Sequence, residues 1–138
     1  MSIIAGPTTS FKVDLLNAVH NFTSHSFYLA LYDSTADLGP STTAYTATGE
    51  VSGTGYTSGG ALLSITAPTY SGTIAYIDIT DATWATSTIT ARAGLIYNSS
   101  ASNKSVMVLD FGANRSSTAS SFTVTWPAPD TDNAILRL

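Results

Sequence analysis

Trp84–Gly112, WATSTITARAGLIYNSSASNKSVMVLDFG, is the stretch whose reading decides the fold. Two extended runs flank the polar loop Asn98–Lys104. In the first run Ile89, Ala91, Ala93, Leu95 and Tyr97 alternate onto one face, and Thr90, Arg92, Gly94 and Ile96 onto the other. In the second, Val106 and Val108 alternate with Met107, Leu109 and Phe111, so both faces are apolar. A strand apolar on both sides belongs inside a sheet that is covered on each face. This hairpin is therefore the expected centre of the fold.

Downstream, Gly112–Ser120 (GANRSSTAS) reads as a polar turn. Phe122, Val124 and Trp126 form one face of a strand that Pro127 stops, and Ala134–Leu138 reads as a last short strand. Upstream, Phe27–Tyr32 (FYLALY) is a strand. Ala61–Ala67 is a strand that Pro68 ends, and Ser71-Gly72 turns the chain into the strand Thr73–Ile79. Between Phe27–Tyr32 and Ala61–Ala67 lie the aperiodic connection 33–50 and the glycine-rich run Val51–Gly60. Such a run is either an irregular, bulged edge strand or a place where another backbone approaches closely. Phe11, Leu15, Ala18, Val19 and Phe22 step by three or four, which predicts a helix over 11–22 with Thr9 or Ser10 as its cap. Asp14 then lies near its positive end and His20 near its negative end. Residues 1–10 are a lead segment and 27–138 the strand region of a single domain, 1–138. About eight strands separated by turn signals predict a mainly β fold. It is a two-layer antiparallel β-sandwich, immunoglobulin-like or jelly-roll, with one short N-terminal helix.

Composition narrows the function. Charged residues are 10% of the chain, against about 25% in ordinary soluble proteins. Serine and threonine make up roughly 30% and solvate the surface without charge. With five Lys and Arg and a net charge of −4, the chain lacks the basic patch that nucleic acid or an anionic membrane surface would require. No apolar run approaches membrane-spanning length, and MSIIAGPTTSFK does not read as a signal peptide. The absence of cysteine removes disulfides, thiolate catalysis and zinc–sulfur sites.

No chemical motif stands out. His20 and His25 lack the four-residue spacing that puts two imidazoles on one helical face, so solvated or capping roles are expected. Asp130-Thr131-Asp132-Asn133 has an acidic look, but turn chemistry accounts for it better than calcium. Asp78 and Asp81 straddle a strand end, where capping is commoner than paired-carboxylate catalysis. No nucleophile elbow or phosphate loop is present. Asn21, Asn98, Asn103 and Asn114 fit the glycosylation pattern, as chance dictates in a chain so rich in Ser and Thr. The tyrosines with Trp84 and Trp126 could include a sugar-stacking platform; core or intersubunit packing is the commoner use of such residues. The reading is thus a non-enzyme with no catalytic residue, cofactor or metal.

Three segments taken together, Leu29–Gly60, Ala82–Gly112 and the ending SFTVTWPAP…AILRL, resemble a family of small virion structural proteins of tailed bacteriophages. EVSGTGYTSGG followed by ITARAGLIYN carries most of that resemblance. It implies a capsid decoration, or cement, protein that binds the outer shell and stabilises contacts between capsid subunits. The alternatives are a neck, tail, baseplate or fibre-associated position, or a glycan-binding module. The implied partners are the major capsid protein and further copies of the chain, as a dimer or trimer. The implied location is the virion, assembled in the host cytoplasm. Ile3, Ile4, Leu38, Tyr45 and Tyr56 are the expected contact residues.

Overall fold

The computed structural model describes residues 2–138. The chain is mainly β, with seven strands, one α-helix and a single 3-10 turn at Ser99–Ala101 among the described residues. The strands are β1 (Gly6–Pro7), β2 (Phe27–Tyr32), β3 (Ala61–Leu62), β4 (Ile65–Ser71), β5 (Ile74–Ile79), β6 (Ala82–Asn98) and β7 (Lys104–Val124), and the helix is α1 (Thr9–Leu16). Five strands form an antiparallel sheet in the order β1-β7-β6-β2-β3, and β4 and β5 form a separate hairpin. The two pack as a sandwich. The long β6–β7 hairpin sets the order, with shorter strands added to either side of it.

The centre is where the apolar pattern places it, but the hairpin departs from simple alternation at four register shifts, the widest opposite Arg92. Ala91 lies opposite Arg115 while Ala93 lies opposite Asp110, so Phe111, Gly112, Ala113 and Asn114 bulge opposite the single residue Arg92. A bulge resets which face each side chain takes. Ile89 and Ala91 therefore pack with Ile96, Met107 and Phe122 beneath the second layer. Ala93, Leu95 and Tyr97 turn to the opposite face, beside Tyr32, Leu38 and Val108. The single face expected for Ile89 through Tyr97 is split in two.

Beyond the bulge the hairpin continues as a polar ribbon, so Gly112–Ser120 is strand rather than turn. Hydroxyl pairs zip it across the strands. Thr83 and Thr123 share a hydrogen bond at 3.2 Å, Ser87 and Ser117 at 2.7 Å, and Thr90 and Ser116 at 2.8 Å. Such cross-strand pairs stabilise a ladder without apolar burial.

Each face of the sheet has its own cover. On one side Ile77 and Ile79 of β5, with Leu63, Leu136 and Phe11, close over Phe27, Leu29 and Leu31. Those three β2 residues are at most 1% exposed, and each contributes about 1.5–3 kcal/mol of burial. The C-terminal residues lie along β5 through Ala75–Leu138 and Ile77–Leu136 backbone bonds. They make an isolated bridge at Arg137 and not the full strand expected. On the other side the cover is the 33–50 connection and the lead, where Ile4 N–H donates to Leu38 O and Leu38 N–H to Ser2 O.

The helix ends well short of residue 22. Thr8 caps it, its Oγ1 accepting from Phe11 N–H at 3.2 Å, in place of Thr9 or Ser10. Asp14 consequently lies in the last turn, and His20 lies beyond the helix. Ala18 stops it with φ +60, while Ala18 N–H donates to Leu15 O and Val19 N–H to Asp14 O. That is the Schellman pattern, with alanine where glycine is usual.

The glycine-rich run is settled in favour of close backbone approach. Gly60 has φ +85, and a Cβ there would lie 1.9 Å from Leu29 O. Gly60→Ala is expected to lose about 3 kcal/mol or more in urea denaturation, because the atoms it would meet are backbone of Leu29 and Ala30 and not a flexible side-chain end. Gly72→Ala, with φ +61 but open space around it, is expected to lose only about 1 kcal/mol. Ala18→Gly is expected to gain roughly 0.5–1 kcal/mol in the same assay by relieving the left-handed alanine.

Candidate functional site

The functional groups converge in two places, and both are at loops pinned to the sheet. The first is built around Glu50, the chain's only glutamate. Its Oε1 accepts from Tyr45 Oη at 2.6 Å, and its Oε2 accepts from Tyr56 Oη at 2.6 Å and Gly59 N–H at 2.8 Å. Tyr56 Oη in turn accepts from Leu31 N–H at 3.0 Å, and Tyr97 Oη donates to Gly59 O at 2.6 Å. One carboxylate thus gathers both halves of the 33–60 region onto β2 and β6. Tyr97 stacks on Tyr28 and lies 4.9 Å from the Tyr45 ring. Burial, followed by the bond to Glu50, pushes the Tyr45 phenol up to about 12. Burial and the nearby Glu50 charge push Tyr97 up to about 12, and burial raises Tyr56 and Tyr32 as well.

The second place is the turn of the long hairpin. Asn98 closes β6, is fully buried, and accepts from Ser100 N–H through Oδ1 at 3.0 Å. Its Nδ2 faces two imidazoles, His20 Nδ1 at 3.0 Å and His25 Nδ1 at 2.9 Å. The histidines expected to be solvated or capping are brought together by a residue that reads as loop in the sequence. His20 is held below its ordinary value, chiefly by burial.

The other sequence candidates are spread apart. Asp78 and Asp81 are exposed on and beyond β5. Asp130 Oδ1 accepts from the backbone N–H of Asp132 and Asn133, a turn in which the Asn133 side chain holds the carboxyl below its usual range. Among the described residues, no group of three or more His, Cys, Asp or Glu could hold a metal ion. A cleft of about 620 Å³ is lined by Asp33, Glu50, Thr88, Thr90, Asn114 and Ser117 among others. Its two carboxylates are engaged, Glu50 as above and Asp33 by the N–H and hydroxyl of Thr35.

The aromatics are mostly spent inside. Trp84 is 6% exposed between Tyr56 and Phe122, and the half-buried Trp126 donates from Nε1 to Thr80 O. Tyr70, at 75% exposure, is the open one on β4. Of the expected contact residues, Leu38 is buried, Ile3 is half-buried beside it, and Tyr45 and Tyr56 are tied to Glu50. Only Ile4 presents a largely open apolar side chain, at 53% exposure. Leu38 is therefore unavailable as a contact surface in this fold, because the lead bonds over it.

No helix among the described residues is long and apolar enough to cross a membrane. No family model, curated protein or solved structure matches the chain.

Glu50→Gln is expected to lower stability by about 2–3 kcal/mol in urea denaturation. The amide removes the charge and turns a donor toward Tyr56 or Gly59. Alkaline pH acts on the same cluster. Unfolded phenols ionise near 10, whereas Tyr45 and Tyr97 hold their protons to about 12, so above pH 10 the folded chain binds more protons. Stability should be fully present below about pH 10 and fall between there and about 12, followed by phenolate absorbance and far-ultraviolet dichroism together.

Proposed function

We propose that this chain is a non-enzymatic virion structural protein, a capsid decoration protein of a tailed bacteriophage. In this reading it lies on the outer shell and stabilises contacts between capsid subunits, with the major capsid protein and copies of itself as partners. The resemblance of Leu29–Gly60, Ala82–Gly112 and the C-terminal segment to that family supplies the class.

The observation that carries the mechanical part is how the reactive side chains are used. Glu50, His20 and His25 are tied into holding loops against the sheet. The outward surface is a charge-poor ribbon of Ser and Thr with single apolar side chains at Ile4, Val13, Leu16, Leu62 and Tyr70. A rigid body with so little charge meets weak repulsion from its own copies, which suits dense packing on a symmetric shell. The β4–β5 hairpin adds an arm whose β4 strand is exposed from Thr66 to Ser71.

Counting copies in purified particles by quantitative mass spectrometry tests the assignment. Copies in the hundreds fit a shell protein, a dozen or so would move it to the neck, tail or baseplate, and none would end the virion reading. Ile4→Ser is expected to reduce retention on shells severalfold in a sedimentation assay while leaving the melting temperature within about 2 °C, since the side chain is already open to solvent. Deleting 1–10 is a poorer test, because it also removes the Thr8 cap and the cover over Leu38.

A further inference from the structure

We propose that His20, His25 and Asn98 form a pH-sensitive latch that fastens segment 17–26 to the turn of the β6–β7 hairpin and releases it in mildly acidic solution. The hydrogen-bond pattern dictates the protonation state. Asn98 Oδ1 is occupied by Ser100 N–H, so the amide presents Nδ2 and its two hydrogens to the imidazoles. Both His20 Nδ1 and His25 Nδ1 must then be acceptors, and His25 Nδ1 also accepts from Asn21 N–H at 3.3 Å. Each ring therefore carries its hydrogen on Nε2 and is neutral. Adding a proton to either Nδ1 replaces an attractive contact with two N–H groups pointing at one another.

His20 makes the proton especially costly. The residue is 7% exposed, its ring lies 5.1 Å from that of Phe11 and 6.3 Å from that of Phe27, and its Nε2 is buried with no hydrogen-bond partner among the described residues. The charged groups around it are Asp14 of α1, Lys104 of β7 and His25 of its own segment, with Tyr76 of β5 on the cleft that His20 also lines. Asp14 favours a charged imidazole, but it also faces Lys104 at 3.6 Å, and burial outweighs it. The sign follows. An unfolded histidine takes up its proton near pH 6.5, so the latch is fully closed above that value and weakens as the pH falls below it.

The latch holds an aromatic cover. Phe22 stacks on Phe27 with ring centroids 4.5 Å apart and meets Phe11 edge-on at 6.1 Å. Other ties between the two segments are bonds at Ser26, where Ser99 N–H donates to Ser26 O and Ser26 N–H to Ser100 Oγ. Release would lift Phe22 and widen the apolar cleft of about 300 Å³ that it lines with Leu15, Ile77 and Leu136.

Hydrogen exchange of the whole chain at pH 7.5 and 5.0, corrected for intrinsic rates, reads the latch directly. Protection over 18–26 is expected to fall about tenfold or more at pH 5.0 while the middle of β6 and β7 stays protected. Asn98→Asp keeps the acceptor for Ser100 N–H but offers an anion to the imidazoles, so its protection over 18–26 is expected to rise as the pH falls. Imidazole nitrogen NMR of the unaltered protein at pH 7.5 should show both rings as Nε2–H tautomers. The proposal is overturned by an Nδ1–H tautomer at either ring, by equal protection at the two pH values, or by an Asn98→Asp variant that loosens in parallel with the parent. If Asn98→Asp does not fold, the NMR and exchange of the unaltered protein still decide.

Discussion

The backbone ladder between β6 and β7, interrupted opposite Arg92, is the constraint on which the rest of the molecule depends. A strict two-residue period would put Ile89, Ala91, Ala93, Leu95 and Tyr97 on one face of the sheet, with too little apolar surface on the other to retain a second cover. The bulge divides them between two faces, and each half finds its own partners. Toward the turn, the hairpin has β2 and β1 beside it, with the second layer and the 33–50 connection covering the two faces. Past the bulge one face still packs Trp84, Ile89, Phe122 and Val124 into the core, while paired hydroxyls tie the strands across the other positions. Both halves are antiparallel β structure, and both bury apolar side chains; the half past the bulge adds hydroxyl pairs.

The covers follow from that division. A connection as long as 33–60 has considerable conformational entropy to lose, and few apolar side chains with which to offset it. Glu50 supplies the missing attachment by taking three donors from Tyr45, Tyr56 and Gly59. Charge-assisted bonds of this kind are about twice as strong as neutral ones, so one carboxylate can do what several leucines would otherwise do. At the other end Asn98 performs a similar service with a neutral amide, which makes that attachment sensitive to the protonation of its partners. Hydroxyls fill the gaps. Thr8, Ser10 and Ser105 share hydrogen bonds where the helix start meets β7, and Ser105 also donates to Thr42 O. A chain this rich in Ser and Thr can be tightly tied with few charges left to face outward.

That economy of charge is what joins the fold to the proposed role. A surface of hydroxyls and isolated apolar side chains has little long-range field, so it selects partners through shape and close contact instead of steering. The Ile4 side chain stands out from the lead that covers Leu38, and Tyr70 stands on the exposed β4 arm. Contacts made there would leave the core undisturbed.

The sequence by itself determined the β class, the central hairpin, the strand Phe27–Tyr32 and the turn at Ser71-Gly72, because alternation and turn residues act over neighbouring positions; it did not show that Ala61–Ala67 divides between β3 and β4, or that β4 continues through Pro68 to Ser71. It also marked the glycine run as a place of close approach or irregular strand. Tertiary structure alone decided between those two by laying Gly60 against Leu29, and it alone placed the bulge that reverses the face of Ala93, Leu95 and Tyr97. The helix end at Ala18 was hidden because the usual signal, glycine, is absent there. Glu50 and Asn98 were hidden for a different reason. Each acts on partners from separate stretches of chain, and Asn98 meets His20 and His25 from more than seventy residues away. Local pattern reports which face a residue takes, whereas only the closed fold reports which distant donors and acceptors arrive at the same point.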